Sequence, residues 1–257
     1  MTVANLPPWF IRAWLVVRDD LRRQYTGRGL LRLLLGFLAG AILANTPLDQ
    51  WMEAAYRNRI HSETKTAKAC QWVTRQLGDR YVVMLAPAVA VGVCLLAPAN
   101  PAAAAVGSWG ARFVRAFLVA TPATYGATWL LGGDRPKNGH GSAWQPLRRV
   151  EKGISGHAMA GATPFLAAAG MTANPVAQTV LYACSGLTAW SRVDSRSHYP
   201  SQIFLGWWMA FLAARAVRRS GPCTSTVRPV AVTVNNRPGT GLLRRVAAAC
   251  TIVLAGP

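Results

Sequence analysis

Two histidines and two arginines in the second half of the chain lie in short polar motifs. These motifs are Asp134-Arg135-Pro136, Ser155-Gly156-His157 and Ser191-Arg192, the last followed by His198. The segment from His157 to Arg192 is long enough for two short helices, one outgoing and one returning, at about 1.5 Å per residue. We therefore expect the motifs to lie on loops at one face of a helical structure.

The residues of these motifs are suited to binding an anion. His157 would begin a helix with Ser155 or Gly156 near its N-cap, so unpaired N–H groups and the positive dipole end would point toward the loop. Arg135 and Arg192 would add two guanidinium groups, which neutralise charge on the oxygens of a transferring phosphoryl group. The sequence therefore predicts a cationic pocket for phosphate.

The two histidines can divide the chemistry of phosphoryl transfer. One imidazole would attack phosphorus in its neutral form, and the other would donate a proton to the leaving oxygen. Because each needs the opposite protonation state, activity should pass through a maximum with pH that reports a coupled titration. The residues alone do not decide which histidine has which role.

Basic residues also cluster in the loop between the first two motifs, which contains Arg135, Lys137, Arg148, Arg149 and Lys152. Phosphate is a natural ligand for such charges, and anionic lipid headgroups are another. The carboxylates near the motifs, Asp134, Glu151 and Asp194, are dispersed, so we expect no metal site and no cofactor.

Composition indicates a membrane protein. Of the 257 residues, 52% are hydrophobic and only 14% are charged, although the net charge is +19. The basic residues lie between long apolar stretches, whereas nucleic-acid binding would gather them on a polar domain, so we expect no nucleic-acid partner. The five cysteines are scattered, without the spacing of a zinc site or a disulfide framework.

Apolar segments predict an all-α fold, a bundle of six transmembrane helices with the catalytic loops on one membrane face. Residues 1–28 form a cytoplasmic N-terminal segment that fits an amphipathic interfacial helix, 29–217 the membrane domain, and 218–257 a basic, largely irregular tail. The positive-inside bias is weak and favours cytoplasmic termini. The predicted spans are Gly29 to Ala44, Tyr81 to Ala97, Ala111 to Leu131, His157 to Ala173, Pro175 to Trp190, and Gln202 to Val217.

The three motifs resemble the type 2 phosphatidic acid phosphatase superfamily, which includes the vanadium haloperoxidases. Its signature is KxxxxxxRP, then PSGH, then SRxxxxxHxxxD, and the order and spacing match from about Thr128 to Val217. The resemblance implies that His198 is the nucleophile and His157 the general acid. It also implies phosphate contacts from Arg135, Arg192, Ser155 and Gly156, and an active site at the outer, periplasmic face of the bacterial inner membrane.

Three positions depart from the family pattern. Thr128 replaces the first lysine, Ile154 the proline before Ser-Gly-His, and Gln202 the final aspartate. Lys137 or Lys152 is a candidate to replace the lysine. An amide at position 202 can orient the nucleophilic imidazole but cannot stabilise its positive charge, so Asp194, four positions before His198, is a second candidate for that role.

We therefore predict a metal-independent phosphatase that acts on a lipid phosphate or lipid pyrophosphate through a phosphohistidine. Phosphatidate, phosphatidylglycerophosphate, isoprenyl pyrophosphate and lipid A phosphate all stay open as substrates. One alternative is a phosphotransferase of the same superfamily, with a hydroxyl as acceptor. Another is a catalytically silent membrane protein that binds lipid headgroups. Membrane lipids are expected partners in each case, and the sequence does not determine the oligomeric state.

Overall fold

A computed structural model describes residues 8–97, 99–147 and 153–219 of this chain. The described residues form α-helices and a short 3-10 helix, Pro136–Asn138, and no strand. The prediction of an all-α fold is confirmed for these residues. The α-helices are α1 Pro8–Tyr25, α2 Arg28–Ala44, α3 Leu48–Arg59, α4 Lys65–Gln76, α5 Arg80–Leu96, α6 Pro101–Leu131, α7 Gly156–Ala169, α8 Pro175–Cys184, α9 Leu187–Asp194 and α10 Pro200–Arg219.

Polar side chains at N-cap positions begin many of these helices. The side chain of Thr64 accepts a hydrogen bond from Ala67 N, and Asp79, Asn100, Ser155 and Asn174 cap the helices that follow them in the same way. Each cap satisfies backbone N–H groups that have no partner inside the helix. The polar residues that interrupt the apolar segments therefore decide where α4 to α8 begin.

Helix α10 lies at the centre of the bundle, where it packs against α2, α6 and α7. The interface is built largely from small side chains, among them the fully buried Ala120, Ala162 and Ala213. Gly206 of α10 lies so close to α7 that a Cβ atom there would be 2.3 Å from the carbonyl oxygen of Ser155. Small residues thus bring the start of α7 directly against α10, which positions the polar motifs.

An ion pair joins α1 to α6 inside the bundle. The guanidinium of Arg115 donates to both carboxylate oxygens of Asp20, with distances of 2.8 and 3.0 Å, and both side chains are buried. Tyr25 continues the contact, because its hydroxyl donates to Val119 O at 2.7 Å. The predicted N-terminal segment therefore packs onto the helical domain from residue 20 onward.

Several helix boundaries differ from the sequence prediction. The single segment predicted from Pro175 to Trp190 is two helices, α8 and α9, because the chain turns at Ser185 and Gly186 N bonds to Ala183 O. Helix α6 begins at Pro101, before the predicted span, and α3 and α4 occupy a region to which no element was assigned.

No single helix among the described residues is both long and apolar enough to cross a membrane. Two bent pairs meet the length and composition criteria together, Ala13–Tyr25 with Arg28–Ala44 at 55° and Lys65–Gln76 with Arg80–Leu96 at 60°. The six-span arrangement and the domain boundaries thus stay predictions. Residues 220–257, which make up nearly all of the predicted tail, lie outside the described residues.

Candidate active site

Four chain segments meet at one end of α10. Gln202 of α10 connects two of them, because its backbone oxygen accepts from Ser155 N at 3.0 Å and its side-chain amide donates to Asp134 O at 2.9 Å. The loop before α10 returns to the end of α9, where His198 N donates to Arg192 O at 3.3 Å. The structure therefore brings together the three motifs that the sequence separates.

Gln202 orients the imidazole of His198. Its Oε1 lies 2.9 Å from His198 Nδ1 and also accepts from Tyr199 N at 3.2 Å, while its Nε2 donates to Asp134 O. A flipped amide would set its NH₂ group against Tyr199 N–H and its oxygen against Asp134 O, so the orientation is determined. An amide oxygen can only accept, so Nδ1 carries the proton and Nε2 keeps its lone pair.

His198 is held in its neutral form. The residue is 5% exposed, and this burial lowers the pKa of His198 to about 3, against the opposing effect of the Gln202 hydrogen bond. The positive charges of Arg192 and Arg135 lower the pKa further. At neutral pH the ring is therefore an uncharged nucleophile with its lone pair on Nε2.

Two arginines beside His198 have buried donors without acceptors. The Nε atoms of Arg135 and Arg192 are inaccessible to solvent and have no hydrogen-bond partner among the described residues. Arg192 is 7% exposed, and burial lowers its pKa to about 10, helped by the charges of Arg75 and Arg135. It stays protonated at neutral pH, so the pocket holds concentrated positive charge and open donors, which suit an anion with several oxygens.

The N-terminus of α7 forms another wall of the pocket. Ser155 is fully buried and its Oγ accepts from Ala158 N at 3.3 Å, so Ser155 is the N-cap, of the two candidates Ser155 and Gly156. The N–H groups of Gly156 and His157 belong to the first turn, which has no intrahelical acceptors. The positive end of the α7 dipole thus adds to the charge of the two arginines.

The Asp134 carboxylate braces the loop that carries Arg135. It accepts from Arg135 N at 2.7 Å and bonds to the side chains of Asn138 and His140. Burial opposes ionisation, but these hydrogen bonds outweigh it and lower the pKa of Asp134. His140, to which the sequence assigned no role, is therefore part of the support for this loop.

Asp194 does not occupy the position beside His198 that was considered for it. Its Oδ1 accepts from Tyr56 at 2.7 Å and lies 2.8 Å from His61 Nδ1, so the carboxylate faces α3 and the loop after it. The reason is geometric, because Asp194 ends α9 and the turn that follows carries His198 to the other side. Gln202 takes the place next to the ring instead.

The remaining predicted residues are more peripheral. Lys137 lies on the 3-10 helix with its side chain exposed, and Lys152, Arg148 and Arg149 lie outside the described residues. The hydroxyl of Thr128 donates to Thr124 O at 2.7 Å, within its own helix. Ile154 is buried in the main apolar core.

Two residues near the pocket were missed from sequence. Arg75 at the end of α4 is close enough to lower the pKa of Arg192, though burial is the larger cause. Asp49 of α3 accepts from Ser201 N at 2.7 Å and from the Ser201 hydroxyl, so it caps α10 from another helix. No local pattern marks either residue, because both act on segments more than a hundred positions away.

Metal ligands are not grouped in the part of the chain that the structure describes, where no cluster of three or more His, Cys, Asp or Glu side chains could hold an ion. The neutral imidazole, the paired guanidinium groups and the helix N-terminus together suit the transfer of a phosphoryl group to nitrogen.

The part of the chain that contains the pocket resembles a known protein family. Residues 109–222 match the family model of the PAP2 superfamily. This stretch contains all four segments of the pocket, while α1 to α5 lie before it. No curated protein and no solved structure matches the chain significantly.

Proposed function

We propose a specific reaction for this chain, starting from the match of residues 109–222 to the PAP2 superfamily, which supports a phosphatase-type enzyme. The enzyme removes a terminal phosphate from a lipid phosphate or lipid diphosphate through a phosphohistidine at His198, without a metal ion. The observation that carries the proposal is a buried neutral imidazole, oriented by Gln202, beside two arginines with unpaired buried donors.

In the first step, Nε2 of His198 attacks phosphorus. The N–P bond forms as the P–O bond to the leaving group breaks, and His157 donates its proton to the leaving oxygen. Arg135, Arg192 and the first turn of α7 stabilise the negative charge on the three non-bridging oxygens. These groups lie in place before substrate binds, so they need little reorganisation during the reaction.

In the second step, water attacks the phosphorus of the phosphohistidine. His157, now neutral, accepts a proton from the water, the N–P bond breaks, and inorganic phosphate leaves. Both histidines return to their starting protonation states. The net reaction consumes one water for each phosphate ester.

Gln202 makes this site different from the family pattern with aspartate. Its amide holds the productive tautomer of His198 in the same way, but it places no negative charge beside the ring when the ring becomes cationic on phosphorylation. We therefore expect a slower first step than with a carboxylate at position 202.

A lipid substrate is supported by the apolar surface of α2 and α5. Leu34, Leu38 and Ile42 on α2 are more than half exposed, as are Met84 and Val89 on α5. An exposed apolar area of this kind marks contact with lipid or another protein. With the two bent helix pairs, it supports attachment to a membrane, and we propose the bacterial inner membrane with the pocket facing outward.

The test is hydrolysis of a panel of lipid phosphates by purified protein in detergent with excess chelator. We expect phosphate release by the wild type, none by His198→Ala, and acid-labile phosphate trapped on the wild type during turnover. His61→Gln is the matched control, since His61 bonds Glu63 and Asp194 away from the pocket. Strict dependence on a divalent ion, or turnover by His198→Ala, would refute the mechanism.

Adding an acceptor alcohol distinguishes hydrolysis from transfer. A phosphatase releases inorganic phosphate whether or not the acceptor is present, while a phosphotransferase requires it. Absence of both activities across the panel, with headgroup binding intact, would indicate a protein that only binds lipid.

A further inference from the structure

Arg75 lies beside the pocket although it belongs to α4, outside the residues that match the family model. Helix α4 is held against α9 by two hydrogen bonds. Gln71 Nε2 donates to Ser191 O at 3.4 Å, and the Thr188 hydroxyl donates to Thr74 O at 3.0 Å. Two residues in the C-terminal half of α4 are thus tied to the helix that carries Arg192.

The turn after α4 also touches the start of α7. A Cβ atom at Gly78 would lie 2.4 Å from the carbonyl oxygen of His157 and 2.8 Å from Cγ2 of Thr188. Glycine is therefore needed for this close approach, and it places the end of α4 on the side of the pocket where His157 lies.

The electrostatic influence of Arg75 follows the same geometry. Burial is the largest cause that lowers the pKa of His157; the charges of Arg192 and then Arg75 lower it further, Asp79 raises it, and Arg135 has a smaller lowering effect. For His198 burial is again the largest cause, and the charges that lower the pKa are Arg192 and then Arg135. Arg192 and Arg135 thus act on both histidines, whereas Arg75 acts on His157.

The Arg75 guanidinium is available to a ligand. Its side chain is exposed, and among the described residues it makes no ion pair and no side-chain hydrogen bond. Its nearest acidic neighbour along the chain is Asp79, whose carboxylate accepts from Tyr81 N as the cap of α5. This leaves a cation at the mouth of the pocket, next to the proposed proton donor.

We propose that Arg75 binds a phosphate group within the leaving group, so that the pocket selects diphosphate esters over monophosphate esters. This inference rests on the proposed function. An in-line attack by His198 places the leaving group on the side opposite the nucleophile. A proton donor for the leaving oxygen has to lie on that side, and Arg75 acts on His157, the proposed donor. An alcohol leaving group carries no charge that Arg75 could bind, whereas a departing phosphate monoester carries about two negative charges.

The reaction balances as follows. Nε2 of His198 forms a bond to the terminal phosphorus, the bond from that phosphorus to the bridging oxygen breaks, and the bridging oxygen takes the proton of His157. The products of this step are phosphohistidine and a lipid monophosphate bound to Arg75. Water then releases inorganic phosphate and restores the proton to His157.

The experiment compares a prenyl diphosphate with the monophosphate of the same alcohol. For Arg75→Gln we expect kcat/KM to fall about tenfold on the diphosphate and less than about threefold on the monophosphate, since an exposed charge-assisted contact gives the lower end of the usual range. Arg75→Lys should recover part of the loss. Arg80→Gln, which removes an exposed arginine that stacks on Tyr81, should leave both values unchanged.

Equal losses on the two substrates, or no loss on either, would overturn the role of Arg75. A binding measurement separates this result from failure of the proposed function. Calorimetry should show that the wild type binds methylenediphosphonate more tightly than inorganic phosphate and that Arg75→Gln loses the preference, whether or not the protein turns over. Absence of the preference in the wild type would count against the inference, while absence of hydrolysis with the preference intact would refute only the proposed reaction.

Discussion

The pairing of Gln202 with His198 predicts the effect of replacing that amide by a carboxylate. Gln202→Glu changes one atom and keeps the length of the side chain, so its Oε1 can still accept from His198 Nδ1 and from Tyr199 N. The substitution adds a negative charge next to the imidazole and removes the donor to Asp134 O. The substitution therefore tests the effect of a negative charge at position 202 while the orienting hydrogen bond to His198 is kept.

The size of the expected pKa shift follows from the distance between the His198 imidazole and the carboxylate at position 202. Unit charges about 4 Å apart interact by about 4 kcal/mol at an effective dielectric constant of about 20, which corresponds to about three pKa units. The pKa of His198, about 3 in the wild type because of burial, should therefore rise to about 6 in Gln202→Glu. The lost bond to Asp134 O should lower the free energy of unfolding by about 1–3 kcal/mol.

The assay is an NMR titration of histidine-labelled protein in detergent, with the His198 signal assigned from its absence in His198→Asn. The acid limb of kcat/KM should move upward in parallel. Gln202→Met is the matched control, because it also loses the Asp134 bond but adds no charge, so His198 should still titrate at low pH. Titration of His198 in Gln202→Glu below pH of about 4 would refute the pairing.

Four other outcomes follow from the same contacts. The pKa of His198 in the folded protein lies below its unfolded value of about 6.5, so the free energy of unfolding should decrease as pH falls from 6.5 toward 3, by up to about 1.4 kcal/mol per pH unit. Denaturant titrations at several pH values measure this dependence, and the free energy of unfolding should change less with pH in His198→Asn. An equal pH dependence in the two proteins would contradict the assignment. Asp49→Ala removes both bonds to Ser201 at the start of α10 and should lower the free energy of unfolding by about 2 kcal/mol, whereas an unchanged Tm would mean that the cap is dispensable. Arg192→Ala should reduce kcat/KM about 100-fold or more, and Arg192→Lys should recover little because a point charge does not replace the guanidinium fork; full activity of the lysine variant would speak against fork binding. Asp194→Asn should change kcat less than about threefold, since that carboxylate bonds Tyr56 and His61. A much larger loss of kcat would assign Asp194 to His198 after all.

Local patterns in the sequence were enough to predict the helical class, and they singled out motifs that the structure brings close together. Ser155 caps α7 as its position before Gly156 and His157 predicts, because capping depends on neighbours within one turn. The distance from His157 to Arg192 likewise allows one outgoing and one returning segment, which the structure realises as α7, α8 and α9. The family resemblance rests on the same order and spacing and is confirmed by the match over residues 109–222.

Tertiary contacts decided which side chains support the pocket. Asp194 and Gln202 each lie four positions from His198, so spacing alone could not choose between them. The turn after α9 sends Asp194 toward Tyr56, while Asp134 O and Tyr199 N hold the amide of Gln202 against the ring. That choice depends on contacts between distant segments, which no local pattern encodes.

The same reason explains why Arg75 and Asp49 could be found only in the folded chain. In the sequence each is one charged residue in a polar stretch, with nothing to distinguish it from its neighbours. Packing of α4 against α9 brings Arg75 to the pocket, and packing of α3 brings Asp49 to the first turn of α10. The sequence by itself thus determined the helical class and predicted the reactive groups, and the close packing of helices through small residues determined which distant charges surround them.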